Sequence, residues 1–159
     1  MKRVVEIEYY DQIGLLKVYT IRFKSEETEF DKFLEEFDTQ ENQEELDVLL
    51  GDFQKLGKKG AHERNLRYEG KAKDHLFALP SHLVDCKLRL FLLRISEDVV
   101  ILGNGYKKHT KSYNQDPVAL KHATTLLSID KILTKRLNKL TISLYHQQIF
   151  GNTTFEIEV

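Results

Sequence analysis

Apolar residues recur along this chain with two different periods, and the alternation of those periods predicts its elements. Val4 to Tyr10 and Leu15 to Phe23 are β-rich runs separated by Asp11-Gln12-Ile13-Gly14, a turn-like tetrad, so the chain should open with a hairpin. Phe30, Phe33, Leu34 and Phe37 then recur at helical spacing, behind Ser25 as a possible cap and Glu26, Glu27 and Glu29 at the positive end of the dipole. After Thr39-Gln40 a second helix carries Leu46, Leu49, Leu50, Phe53 and Leu56 on one face, and Gly57 stands where a left-handed cap is expected. Two amphipathic helices with a short connection read as a helical hairpin.

Residues 58–75 are polar, basic and punctuated by glycine, which predicts a long loop or weak edge strand anchored by Leu66 and Tyr68. Leu76 to Leu79 reads as a short strand stopped by Pro80. The strongest sheet signal follows: Leu88 to Ile95 and Val99 to Leu102 are apolar on both faces and are joined by Ser96-Glu97-Asp98, as central strands would be. Beyond Gly103-Asn104-Gly105-Tyr106 the polarity flips to Lys107-Lys108-His109-Thr110-Lys111. Asp116-Pro117 then has the cap-then-proline pattern of a helix start, and Leu120, Ala123, Leu126, Leu127, Ile132, Leu133 and Leu137 continue at helical spacing. Thr141 to Val159 alternates around Phe155, Ile157 and Val159, which suggests a final strand. The order β-β-α-α-β-β-β-α-β predicts one α+β domain over residues 1–159, with an antiparallel sheet centred on residues 88–102.

Composition narrows the function classes. A chain of 159 residues with 41% hydrophobic positions can bury its own core, and Cys86, its only cysteine, permits no internal disulfide. Neither Cys nor His spacing suggests a metal site, so no cofactor is expected. The acidic start and the lack of any long apolar run argue against export and membrane insertion, which makes a soluble cytoplasmic protein the expectation. The net charge of −1 conceals a strong segregation: residues 1–50 sum to −8, residues 51–140 to +9 and the remainder to −2. Such a layout permits a basic face made by the middle of the chain and an acidic one made by the first helices.

Leu88-Arg89, Ile101-Leu102-Gly103 and Tyr106-Lys107-Lys108-His109, followed by a Pro-led helix with Ala123, resemble in their order the RelE/ParE superfamily and, within it, the HigB-like toxins. The resemblance covers about residues 15–128, with residues 130–159 as a C-terminal extension. It implies a RelE-like fold, a small antiparallel sheet packed against an N-terminal helical hairpin with a C-terminal helix, here followed by an added strand. The sequence departs from the family pattern where Phe77-Ala78-Leu79-Pro80 replaces a strand ending in Glu-Leu-Arg, and where His109 stands in place of a threonine.

The activity implied is that of a type II toxin: a ribosome-associated endoribonuclease, or mRNA interferase, that cleaves message by metal-independent attack of a ribose 2′-OH on the adjacent phosphate. Such a reaction needs a base near the 2′-OH, a cation against the charge gathering on phosphorus, and an acid for the leaving 5′-oxygen. The candidate catalytic residues are Arg89, Lys107, Lys108 and His109, the last because imidazole transfers protons near neutrality. Tyr106 and Tyr113 are candidate stacking platforms for bases, and Lys111, Arg64, Arg67, Lys71 and Lys73 candidate RNA contacts. Duller roles compete. Arg89 lies in an apolar strand and could pair with an acidic helix, Tyr106 could be core, and strand alternation lets at most one of Lys107 and Lys108 face a given site. The same alternation puts Arg94 on the opposite sheet face from Arg89.

The expected partners are a cognate antitoxin bearing an acidic segment, mRNA and the ribosome. The alternative is a non-catalytic RNA- or protein-binding member of the same fold. A homodimer through the apolar extension, which includes Ile142, Leu144, Tyr145, Ile149, Phe150 and Phe155, is a third possibility.

Overall fold

The opening hairpin forms, with a tighter turn than the sequence suggests. In the computed structural model, which describes residues 1–69, 74–81, 84–109, 115–138, 142–145 and 148–159, strand β1 spans Lys2–Ile13 and β2 spans Leu16–Phe23. The pairing steps from Tyr9↔Tyr19 to Asp11↔Val18, so a bulge at Tyr10 carries Asp11, Gln12 and Ile13 onward as strand. Gly14, at φ 58°, makes the turn. A Cβ there would lie 2.4 Å from the carbonyl oxygen of Gly57, which accepts a 2.7 Å hydrogen bond from the Leu15 amide.

That contact also corrects the reading of Gly57. The glycine sits inside helix α2 (Gln43–Lys59), where its missing side chain lets the hairpin turn touch the helix backbone. The helix ends instead at Gly60, whose φ is 88°. Helix α1 (Glu29–Phe37) is likewise capped by Thr28 rather than Ser25: the Thr28 hydroxyl accepts from the Asp31 amide at 3.1 Å, while Ser25 takes the turn at φ 67°.

A 3₁₀ turn (Glu63–Asn65) leads to a two-residue strand β3 (Arg67–Tyr68), then β4 (Leu76–Leu79), β5 (Leu88–Ser96) and β6 (Val99–Lys107). Helix α3 (Pro117–Asn138) starts as expected, with Asp116 Oδ1 accepting from the amides of Val118 and Ala119 at 2.9 and 3.1 Å. A hairpin of β7 (Ile142–Tyr145) and β8 (Gln148–Gly151) and a last strand β9 (Thr154–Glu158) follow.

Seven strands form one sheet in the order β3-β4-β5-β6-β2-β1-β9, so the predicted hairpin of residues 88–102 is central. The sheet is not purely antiparallel. β2 and β6 run parallel, in register from Lys17↔Val99 to Thr20↔Leu102, and the buried Thr20 hydroxyl donates to the Leu102 carbonyl at 2.9 Å. A helical crossover between β2 and the later strands permits this pairing, and no local pattern in either strand encodes it.

Helices cover both faces. Leu88, Leu90, Leu92 and Leu102 pack against Phe33, Phe37, Leu49 and Phe53 of α1 and α2. On the opposite face Phe91, Leu93, Ile101 and Tyr106 pack against Ala123, Leu126, Ile129 and Leu133 of α3. This double burial explains why the central strands are apolar on both sides.

β9 pairs antiparallel with β1, placing Phe155 opposite Val5, and both Phe155 and Ile157 are buried within this chain. The Arg136 guanidinium lies 4.4 Å from the Phe155 ring centroid and donates to the carbonyls of Asn152 and Thr154. Leu133, Phe155 and Ile157 therefore supply core and β9 a sheet edge, and Phe155 needs no second copy to cover it. Among the described residues no helix is long and apolar enough to cross a membrane.

Candidate nucleic-acid interface

Strand β5 begins beside the end of β6, with Leu88↔Lys107 and Arg89↔Tyr106 in register. The approach is close because residue 105 is glycine: a Cβ there would lie 2.0 Å from the Arg89 carbonyl oxygen. One step further out, the Lys108 amide donates to the Lys87 carbonyl at 2.7 Å. This pairing gathers Lys87, Arg89, Lys108 and His109 around an open concavity of about 500 Å³, whose only lining carboxylate among the described residues is Asp85.

Arg89 is the buried member of the group, at 7% exposure. Its Nη1 donates to the carbonyls of Cys86 and Leu88, the latter at 3.0 Å. No carboxylate lies within ion-pair distance of it among the described residues, so pairing with an acidic helix is not how this charge is held. Burial, and secondarily the nearby Arg67, push its pKa down. The guanidinium is held by neutral carbonyls and crowded by Arg67, with Glu69 acting the other way from beyond ion-pair distance, so an incoming phosphate would give it a direct anionic partner.

Lys107 departs from the expected quartet. Strand alternation turns it to the face of α1 and α2, where Nζ donates to Asn42 Oδ1 at 2.8 Å and lies 3.8 Å from Glu41. A second cavity, of about 370 Å³, adjoins it with Glu36, Glu41 and Asp116 in its lining. His109 is exposed and lines both cavities.

Tyr106 is not a platform for a base. It is buried and stacks on Phe91 with ring centroids 5.6 Å apart, and burial drives its phenol up to about 12. Arg67 donates to the carbonyls of Pro80 and Ser81 at 3.4 and 3.3 Å and lies near enough to Arg89 to affect its charge. Arg64 is elsewhere, lining a cavity with α2. Lys71, Lys73, Lys111 and Tyr113 lie outside the described residues. Arg94 points away from Arg89, as alternation predicts, with Nε donating to the Ala61 carbonyl at 2.5 Å.

Two residues of this region escaped the sequence reading. Lys87 shares a sheet face with Arg89 by the two-residue strand period, a signal that was present in the chain. Glu69, just beyond β3, is partly buried and has its pKa raised by burial against the opposing effects of Arg67, Arg89 and Lys108. Only the folded edge brings it there. Cys86 is chemically quiet: burial first, and then Glu45, raise its thiol to about 12. His75 pairs with the buried Asp130 at 2.7 Å, which fastens α3 to the start of β4 away from the concavity. No group of acidic, His and Cys side chains among the described residues could hold a metal ion.

Comparison with known proteins gives this arrangement no relative: no protein-family model, curated protein or solved structure matches the chain.

Proposed function

We propose that the chain is an RNA-directed toxin of the RelE type, a ribosome-associated endoribonuclease whose reacting phosphate sits in the concavity of Arg89, Lys108 and His109. The carrying observation is the convergence of a buried guanidinium with no carboxylate within ion-pair distance among the described residues, a lysine and an exposed imidazole on one open surface. In this reading the 2′-oxygen bonds to phosphorus as the bond to the 5′-oxygen breaks, leaving a 2′,3′-cyclic phosphate and a 5′-hydroxyl. Arg89 and Lys108 stabilise the charge on the phosphorane oxygens, His109 gives a proton to the 5′-oxygen, and water takes the proton of the 2′-OH. The antitoxin would cover this surface with an acidic segment, competing for the same cations.

Binding without cleavage is the second reading, favoured by Pro80 standing where the family pattern ends a strand in arginine and by the engagement of Lys107 with Asn42 and Glu41. Incubation with translating ribosomes separates the two. Cleaved message ending in a cyclic phosphate supports the nuclease. Intact message together with salt-dependent RNA binding lost in Arg89→Ala supports the binder. Neither cleavage nor binding would defeat both.

A further inference from the structure

We propose that the far end of β1 docks an extended peptide of a partner protein, one that seats an apolar side chain beside Tyr9 and carries an acidic residue two positions away. On the edge turned from β2, β9 covers β1 only as far as Ile7, whose amide donates to the Thr153 carbonyl at 2.9 Å, whereas β1 itself runs on to Ile13. Strand alternation turns the amide and carbonyl of Tyr9 to the same edge as those of Ile7, and no strand lies beyond them among the described residues. Proteins blunt open edges against chance pairing, and here the blunting lies further out. The bulge at Tyr10 interrupts the edge, and the Gln12 amide donates to Asp11 Oδ1 at 2.7 Å. Tyr9 is left as a pairing position between two closed stretches.

A cavity of about 460 Å³ opens on the sheet face beside this position, lined by Ile7, Tyr9, Tyr19 and Ile149 together with Lys17. Its floor is fixed, because the Tyr19 hydroxyl accepts from the Ile149 amide at 2.9 Å and so ties β8 to the sheet. Tyr9 meets Tyr19 edge to face with centroids 5.6 Å apart, yet remains 53% exposed. A strand added at Tyr9 would place a side chain over that ring, since directly paired residues share a face. Lys17 is the one charged residue of the lining among the described residues. Its Nζ donates to the neutral Gln12 Oε1 at 2.8 Å and has no carboxylate within ion-pair distance among the described residues. An acidic residue two positions from the seated one points to the same face and would supply that carboxylate. Main-chain pairing would give the affinity and the cavity the selectivity, as in strand addition generally.

A second copy of the chain does not fit this edge. Antiparallel pairing of two copies through Tyr9 would run each β1 into the Thr153 position already occupied on the other, and β1 continues straight through its own sheet. A flexible segment can turn away at Thr153. The site is separate from the basic concavity and stands without the RNA reading.

The test titrates the full ¹⁵N-labelled chain with the heptapeptide Val-Glu-Val-Phe-Val-Glu-Val, blocked at both ends. Saturable shifts are expected at the Tyr9, Lys17 and Ile149 amides. Hydrogen exchange of the Tyr9 amide should slow about tenfold at saturation, while that of Glu8, which faces β2, should not change. Lys17→Glu should weaken this peptide about tenfold and favour the analogue with lysine in place of glutamate. An amide spectrum unchanged away from residue 17 reports that the variant folds. Absence of saturable shifts, shifts with Tyr9 exchange unaltered, or equal binding to the variant would overturn the proposal. Sedimentation of the chain alone covers the remaining occupant: a monomer is expected, and a dimer dispersed by Tyr9→Arg would assign the edge to a second copy and overturn the peptide site.

Discussion

At the end of β6 two neighbouring lysines enter regions of opposite character. Lys107 turns toward α1 and α2, where Asn42 and Glu41 receive it and the adjacent cavity is edged by carboxylates. Lys108 lies with Lys87 and Arg89, where cations outnumber the carboxylates, Asp85 in the lining and Glu69 nearby. The pair teaches that a basic dipeptide is not one functional unit: strand alternation divides it, and what each half can do depends on the charge already waiting on its side.

The comparison would break most visibly at Arg89. Arg89→Ala should lower message cleavage about 10²–10³-fold, the size of losing one preorganised donor to a developing oxyanion, as single-turnover assays with translating ribosomes would measure. It also leaves the Cys86 and Leu88 carbonyls without this donor, so a stability loss of about 1–3 kcal/mol is expected by urea denaturation. Arg89→Lys would sharpen the result: a point charge cannot reproduce the forked donor geometry, so it should rescue little.

Alkaline titration reports how well the Arg89 side is sealed. Cys86 and Tyr106 ordinarily titrate at 9.0 and 10.0, and both are raised to about 12 by burial. A raised folded pKa means that the native state holds the proton more tightly. The associated stability is complete below about pH 9 and is lost as pH rises toward 12. Thermal unfolding should therefore fall over that window in the native chain and fall less in Tyr106→Phe. Alkylation of Cys86 at pH 8 should be slow until the chain is unfolded.

Smaller effects separate the lysines themselves. Lys108→Ala should weaken RNA binding by about 1 kcal/mol and reduce the salt slope by about one, with stability unchanged within about 0.5 kcal/mol. Lys107→Ala should do the reverse, leaving RNA affinity as it was and costing stability about 0.2–1 kcal/mol, the range of a half-exposed pair.

What the sequence revealed of all this follows the range of the interactions concerned. The Phe30, Phe33 and Phe37 stripe, the Asp116 cap, the central hairpin and the alternation of Phe155 and Ile157 depend on neighbours a few residues away, and each stands where the pattern put it. Gly57 was misleading because a glycine near a helix end signals a cap, whereas its actual use is contact with Gly14, more than forty residues earlier. The parallel pairing of β2 with β6 was hidden for the same reason. At the candidate site, alternation predicted that Lys107 and Lys108 would part and that Arg94 would turn away from Arg89. The arrival of Asn42 beneath Lys107, and the burial of Tyr106 on Phe91, required the folded helices and sheet.

Crosslinking tests the division of labour most directly. A short RNA bearing a photoreactive phosphorothioate group at the position of cleavage would be bound to the full chain, irradiated and mapped by peptide mass spectrometry. The account predicts adducts on Lys108, His109 or Lys87, abolished in Arg89→Ala and retained in Lys107→Ala. Adducts centred on Lys107 and the α1–α2 face, or a pattern indifferent to Arg89, would contradict it.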